Sequence, residues 1–242
     1  MRERVDDTLP LHAMVEIVHL SPYHFTRVFR QVTGIPPGEF LAALRLERAK
    51  QLPLTTDLSV AEICFEVGYN SPGTFTTRFT RLVGLSPGRV RNLPEQLHTT
   101  FSHVDEEDRP LLPVAPASRG VPFRISGAGL ARTWIFVGLF PSAIPQGRPV
   151  GGLILTAPGT YRLAPVPDGH YHLMAAALPR SEGPLKFLLP GAKLRVGRSR
   201  DPLVVRAGET VGQAEVEMRP PHTTDPPILI SLPALLLKMF ST

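Results

Sequence analysis

The strongest constraint on this chain is that it contains one segment twice. Residues 21–40 read SPYHFTRVFRQVTGIPPGEF and residues 71–90 read SPGTFTTRFTRLVGLSPGRV. With a shift of fifty, eight of twenty positions are identical: Ser21/Ser71, Pro22/Pro72, Phe25/Phe75, Thr26/Thr76, Phe29/Phe79, Gly34/Gly84, Pro37/Pro87 and Gly38/Gly88. A repeat of this kind controls the fold, because each copy must build the same local unit. In each copy Ser-Pro offers a capping hydroxyl followed by proline at the first helical position, where its missing N–H costs nothing. Apolar residues then recur at helical spacing: Phe25, Val28, Phe29 and Val32 in one copy, Phe75, Phe79 and Leu82 in the other. Gly34 and Gly84 stop the helices where a left-handed residue is needed.

A short amphipathic helix precedes each Ser-Pro. Leu11, Met14, Val15 and Val18 follow the i, i+3, i+4, i+7 pattern, and so do Val60, Ile63, Cys64 and Val67. These helices align at a shift of 49 rather than fifty, so the second turn (Gly68-Tyr69-Asn70) is one residue longer than the first (His19-Leu20). Gly68 suits it because glycine accepts positive φ. Helix, tight turn, second helix is the arrangement whose second helix can enter a DNA major groove. Between the units, residues 38–52 predict a long helix with Phe40, Leu41, Leu44 and Leu52 inward, Arg45, Arg48 and Lys50 on or beside the polar side, and Pro53 ending it.

The stretch GYNSPGTFTTRFTRLVGLSPGRVR (68–91) resembles the second helix-turn-helix signature of AraC/XylS-type transcriptional regulators. Residues 20–50, LSPYHFTRVFRQVTGIPPGEFLAALRLERAK, resemble the first recognition helix and linker helix of the same family. The likeness covers roughly residues 9–93 and implies sequence-specific binding of double-stranded DNA. The family normally sets a full helix ahead of the first unit, whereas here only a few residues, Asp6 and Asp7 among them, precede Pro10. The expectation is a start that is clipped or placed late, and a first unit less well supported than the second.

Net charge is +5, but it does not by itself point to DNA. Residues 1–100 hold 11 Lys/Arg against 10 Asp/Glu, while residues 111–242 hold 14 against 7. What favours DNA is local: Arg27 and Arg30, then Arg78 and Arg81, stand on the two second helices with no acid among them. The single cysteine, Cys64, excludes an intrachain disulfide and fits a reducing cytoplasm. No apolar h-region opens the chain, and the apolar run 227–239 is broken by Ser231 and Pro233 and falls short of the roughly 20 residues a spanning helix needs. No membrane association is expected.

The predicted architecture is therefore multidomain: an all-α double helix-turn-helix domain (1–97), an acidic, proline-rich linker (98–119) and an all-β, sandwich-like domain (120–242). The β expectation rests on short runs divided by Pro and Gly: FRIS, WIFVGLF, GLILT, TYRL, HYHLMAA, LRV, LVV, AEVEM and ILISL. The stretch 160–175 bears a weak resemblance to the corner of prealbumin-like, carboxypeptidase regulatory-type sandwiches.

The candidate DNA-binding residues are Tyr23, His24, Thr26, Arg27, Arg30 and Gln31 on the first recognition helix and Gly73, Thr74, Thr77, Arg78 and Arg81 on the second. Arg27 can pair bidentately with guanine, and Tyr23 or Thr26 can pack a thymine methyl. The threonine-rich second face is expected to supply phosphate and tolerant methyl contacts. Cys64 reads as packing between helices. His170 and His172 share one face of a strand without a telling third metal ligand, and Lys193, Arg195, Arg198 and Arg200 form a basic patch that reads first as a solvated loop. No matched nucleophile and base, paired-carboxylate site or phosphate-cradling loop is visible, so neither an enzyme nor a cofactor is expected. Partners are DNA and, for the C-terminal half, a small-molecule effector or RNA polymerase. The rival reading makes the sandwich a ligand-binding or interaction module whose helical half no longer binds DNA.

Overall fold

Local capping explains where the helices of the first half begin and end. The structure, a computed structural model, describes residues 2, 11–101, 119–182, 184–189, 193–210 and 212–235. Among its described residues the first half carries, in order, the helices α1 (Leu11–Val18), α2 (Pro22–Thr33), α3 (Pro37–Thr55), α4 (Val60–Glu66), α5 (Pro72–Val83), α6 (Pro87–Arg91) and α7 (Leu93–Phe101). Ser21 and Ser71 accept from the backbone N–H of His24 and Thr74, and Gly34 and Gly84 close the helices at φ 87° and 89°. Helix α4 opens with a full capping box, in which Ser59 accepts from Glu62 N and the Glu62 carboxylate accepts from Ser59 N.

Two expectations about the long helix change. Pro53 lies inside α3, which runs on to Thr55. A proline this near the C-terminus removes one ladder bond at most, and the hydroxyls of Thr55 and Thr56 accompany the last turn by donating to Gln51 O and Leu52 O. Lys50 is not on the polar side: it is 2% exposed, on the same buried helix as Leu46 and Ala49.

The chain divides into two compact units, and the division is not a single cut. The helical unit comprises Met1–Asn92 together with His222–Ile230, and the second unit comprises Leu93–Pro221 and Ser231–Thr242. Residues 93–97, expected in the helical domain, thus fall in α7 and belong with the second unit. The acidic run 105–108 lies outside the described residues.

Among its described residues the second unit carries nine strands: β1 (Val121–Ser126), β2 (Thr133–Phe140), β3 (Gly151–Leu155), β4 (Gly159–Leu163), β5 (Gly169–Pro179), β6 (Arg195–Arg198), β7 (Leu203–Arg206), β8 (Glu209–Thr210) and β9 (Ala214–Glu217). One sheet has the order β4-β1-β9, with β1 and β9 parallel. The other has the order β3-β2-β5-β7-β8, with β6 also on β5. Alternating residues of β1 (Val121, Phe123, Ile125) and of β2 (Ile135, Val137, Leu139) join one apolar cluster with Leu163, Leu173 and Val216, so both sheets contribute to a common core. Tyr171 and Tyr161 each donate their hydroxyl to a carbonyl four residues upstream, Pro167 O and Ala157 O, which pins the two bends leading into β5 and β4.

One predicted strand is absent. ILISL (228–232) forms no strand; it is extended chain followed by a helical turn at 232–235. An apolar run this short has no period that distinguishes a strand from any other buried segment.

Candidate nucleic-acid interface

The two second helices, α2 and α5, present their outer faces very differently from their inner ones. On α5, Phe75, Phe79 and Val83 are fully buried, and the ring centroids of Phe75 and Phe79 lie 5.6 Å apart. On α2, Phe29 packs edge-on against Phe40 of α3 at 5.4 Å, yet Phe25, Val28 and Phe29 are only half-buried. Val32, expected inward, is 54% exposed. The first unit is therefore less deeply packed than the second among the described residues.

Of the candidate contact residues, Tyr23, His24, Arg27, Arg30 and Gln31 are exposed on α2, and Thr26 is half-buried. Tyr23, 81% exposed, stands in the first turn of its helix, where a docked helix meets base edges. On α5, Gly73, Thr74, Thr77 and Arg81 are exposed, whereas Arg78 is half-buried and its Nε is buried without a hydrogen-bond partner. Arg78 lies beside Tyr69: burial raises the Tyr69 phenol above its ordinary value, and the charges of Arg78 and Arg45 oppose that rise. Arg78 thus turns from the outer face toward the turn between α4 and α5. Its counterpart in the first copy is the half-buried Val28, which agrees with an inward-leaning position.

Both turns use a left-handed residue, His19 at φ 52° and Gly68 at φ 76°. Gly68 has a second constraint: a Cβ there would meet the Arg45 guanidinium carbon at 3.1 Å. Arg45 donates to Gly68 O (3.4 Å), and Arg48 pairs with Glu66 (3.4 Å). Three residues apart on α3, these arginines tie the linker helix to the second helix-turn-helix. Arg91 of α6 adds a further tie by donating to Pro53 O (3.4 Å) and to Leu58 O. Sequence spacing placed Arg45 and Arg48 on one face of α3, but their partners 23 and 18 residues away carry no local signal. Cys64 is fully buried, its thiol directed at Tyr69 O, and burial pushes its pKa up, as a packing role requires.

In the second unit His170 is exposed on β5 and His172 half-buried. Burial first, and Arg198 second, hold His172 below the ordinary histidine value. Among the described residues no three His, Cys, Asp or Glu side chains are grouped to hold a metal ion, and no helix is long and apolar enough to cross a membrane.

Comparison with known proteins locates this likeness in the helical part. Residues 14–93 match the family model described as a helix-turn-helix domain. Over 93 residues the chain is 30% identical to the bifunctional transcriptional activator/DNA repair enzyme AdaA of Bacillus subtilis, covering 38% of this chain and 44% of that protein. Over 96 residues it is 33% identical to the MmsAB operon regulatory protein of Pseudomonas aeruginosa, covering 40% of this chain and 31% of the relative. A solved transcriptional regulator with an AraC-type DNA-binding domain, from Chromobacterium violaceum, is 26% identical, covering 38% of this chain and 81% of that one, at a TM-score of 0.36. The chain spans less than half the length of these two curated relatives. Residues 14–93 are a helix-turn-helix domain.

Proposed function

We propose that this chain is a sequence-specific, double-stranded-DNA-binding transcription regulator that sets α2 and α5 into adjacent major-groove segments. The observation that carries the reading is the pairing of two capped recognition helices with α3, whose arginines tether the second helix-turn-helix, within a segment matched by the helix-turn-helix model. A helix carried rigidly on its partner can present the same few side chains to base edges at every encounter, which sequence reading requires. Tyr23, His24, Arg27, Arg30 and Gln31 form the more discriminating face, with Thr26 at its edge. Gly73, Thr74, Thr77 and Arg81 form a smaller-featured face that favours phosphate and methyl contacts. Arg78, half-buried beside Tyr69, supports the shape of the turn and reaches DNA at most through the phosphate backbone.

The match of residues 14–93 to DNA-binding regulators favours this reading over one in which the helical half is degenerate. For the β unit we infer a sandwich-like module that senses a ligand or mediates assembly, with a small-molecule effector or RNA polymerase as the partner classes. The two-sheet core supports that reading. The cytoplasm is the compartment such a regulator needs.

Binding-site selection with the full chain tests the proposal. The expected result is a defined duplex site whose affinity falls steeply with salt, with a logarithmic slope of about −0.9 per neutralised phosphate. Recovery of no enriched sequence, together with no salt-sensitive duplex binding, would refute it.

A further inference from the structure

The last stretch of the helical unit does not come from its own part of the sequence. His222–Ile230 belongs to that unit, although the chain on both sides of it belongs to the other. The segment is built to hold one shape. His222 N donates to the Asp225 carboxylate (2.7 Å) and Asp225 N to His222 O (3.0 Å), closing a tight turn. Pro226 and Pro227 then keep the following chain extended, since each locks φ and disfavours helix in the residue before it. Pro227, Leu229 and Ile230 are buried, Leu229 completely.

Two cations grip this segment: Lys50 of α3, and Arg2, which rests against Glu47 and Phe40 of the same helix. Arg2 donates through Nε to Thr223 O (3.0 Å) and through Nη2 to Asp225 O (2.7 Å). The same guanidinium faces Glu47 at 3.6 Å and lies over the Phe40 ring at 5.6 Å. Lys50 donates its ammonium to Ile228 O. Phe40, Glu47 and Lys50 are seven and three residues apart, so they share one face of the helix. Arg45 and Arg48 of that helix hold the α4–α5 unit. Helix α3 is therefore gripped by the 222–230 segment and by the second helix-turn-helix.

We propose that His222–Ile230 is a docking strap through which the C-terminal half governs the DNA-binding unit. With the strap seated, α3 is held straight against both helix-turn-helix units, and α2 and α5 keep the spacing that a double site demands. With the strap withdrawn, Leu229 and Ile230 leave their places, the ammonium of Lys50 loses its acceptor, and α3 loosens. Because the strap is covalently continuous with the β unit at both ends, any ligand or partner that pulls on residues 219–221 or 231–235 acts on DNA affinity. The strap rests on the proposed DNA-binding reading only for its consequence, not for its existence.

The test compares three full-length chains: the parent, Leu229→Asp, which places a charge in the buried seat, and Arg2→Ala, a milder change that removes the grip at the outer end. Each is followed by amide hydrogen exchange and by binding to the duplex selected with the parent. The expected result for Leu229→Asp is loss of protection along α3 with β2 and β5 still protected, and affinity for the selected duplex weaker by about tenfold or more, within the usual range of coupling between sites. Arg2→Ala should move both readouts in the same direction by less. Unchanged exchange along α3 in both variants overturns the strap. Loosened α3 with unchanged duplex affinity overturns its governing role. If Leu229→Asp unfolds the β unit as well, Arg2→Ala decides on the same two readouts. If the parent binds no duplex, the DNA-binding reading fails, while exchange along α3 still judges the strap.

Discussion

The buried ammonium of Lys50 makes a prediction whose size follows from the structure. Lys50 is 2% exposed, and burial lowers its pKa from 10.5 to about 8, with Glu47 opposing the shift. The folded state thus releases this proton more readily than the unfolded chain does. Between about pH 8 and 10.5 the unfolded chain binds more protons, so stability rises with pH across that window. Below pH 8 both states are charged and the cost of burial is present in full. At ~1.36 kcal/mol per pH unit, the cost integrates to about 3 kcal/mol, a large share of the 5–15 kcal/mol that holds a typical domain. Lys50→Met keeps most of the packed stem and removes the titration. At pH 7 the variant gains that amount but leaves Ile228 O without its donor, at a cost of about 1–3 kcal/mol, so the two chains should be near parity. The advantage of the variant should then shrink by about 3 kcal/mol as pH rises from 7 to 10.5. Burial already holds the Glu47 carboxyl above its ordinary value; in the variant it loses Lys50 as a favourable neighbour but keeps Arg2. The assay is urea unfolding at a series of pH values. Far-UV circular dichroism follows the helices, and the fluorescence of Trp134, the single tryptophan, follows the β unit separately. A stability difference between parent and variant that stays constant from pH 7 to 10.5 would refute the reasoning, because it would mean Lys50 titrates alike in both states.

Other perturbations follow from the same geometry. Arg27→Ala should cost roughly 1–3 kcal/mol of duplex affinity and relax preference at one base position in a repeated selection, whereas Arg81→Ala should weaken all sequences evenly and flatten the salt dependence. Gly68→Ala places a Cβ at φ 76° and 3.1 Å from the Arg45 guanidinium carbon, and should lower the stability of the helical unit by about 1–2 kcal/mol in urea titrations. Phe79→Ala should cost about 3–5 kcal/mol because Phe79 is fully buried, and Phe29→Ala distinctly less because Phe29 is half-buried; equal unfolding midpoints for the two would contradict the unequal packing of the repeats.

What could be read in advance was whatever a few neighbouring residues decide. Ser21-Pro22 and Ser71-Pro72 cap their helices, Gly34 and Gly84 end them, and the turn glycine, Gly68, takes positive φ. Eight of the nine anticipated β runs coincide with strands for the same reason: alternation and turn residues are local properties. The exposed outer face of α2 was legible too, since Phe25, Val28 and Phe29 claim the other side. Arg78 was not, because its inward lean depends on Tyr69 in a turn whose path its own helix does not determine.

The two largest departures, the burial of Lys50 and the missing strand at 228–232, are one event seen from its two ends. Helical periodicity puts Lys50 at the border of the polar side of α3, and a lysine there ordinarily extends into water. It stays buried because Ile228, 178 residues later, brings an acceptor to it. For its part, the apolar run at 228–232 forms no strand: its carbonyl at Ile228 accepts from Lys50, and Leu229 and Ile230 are buried in a segment that belongs to the helical unit. Neither residue carries a signal for the other, and each alone favours the wrong outcome. A buried lysine and an unpaired apolar run are both costly in isolation. Together they offset part of each other's cost, which is what makes the contact specific. Lys50 would gain little from a helix interior or a paired strand, whose carbonyls are already engaged.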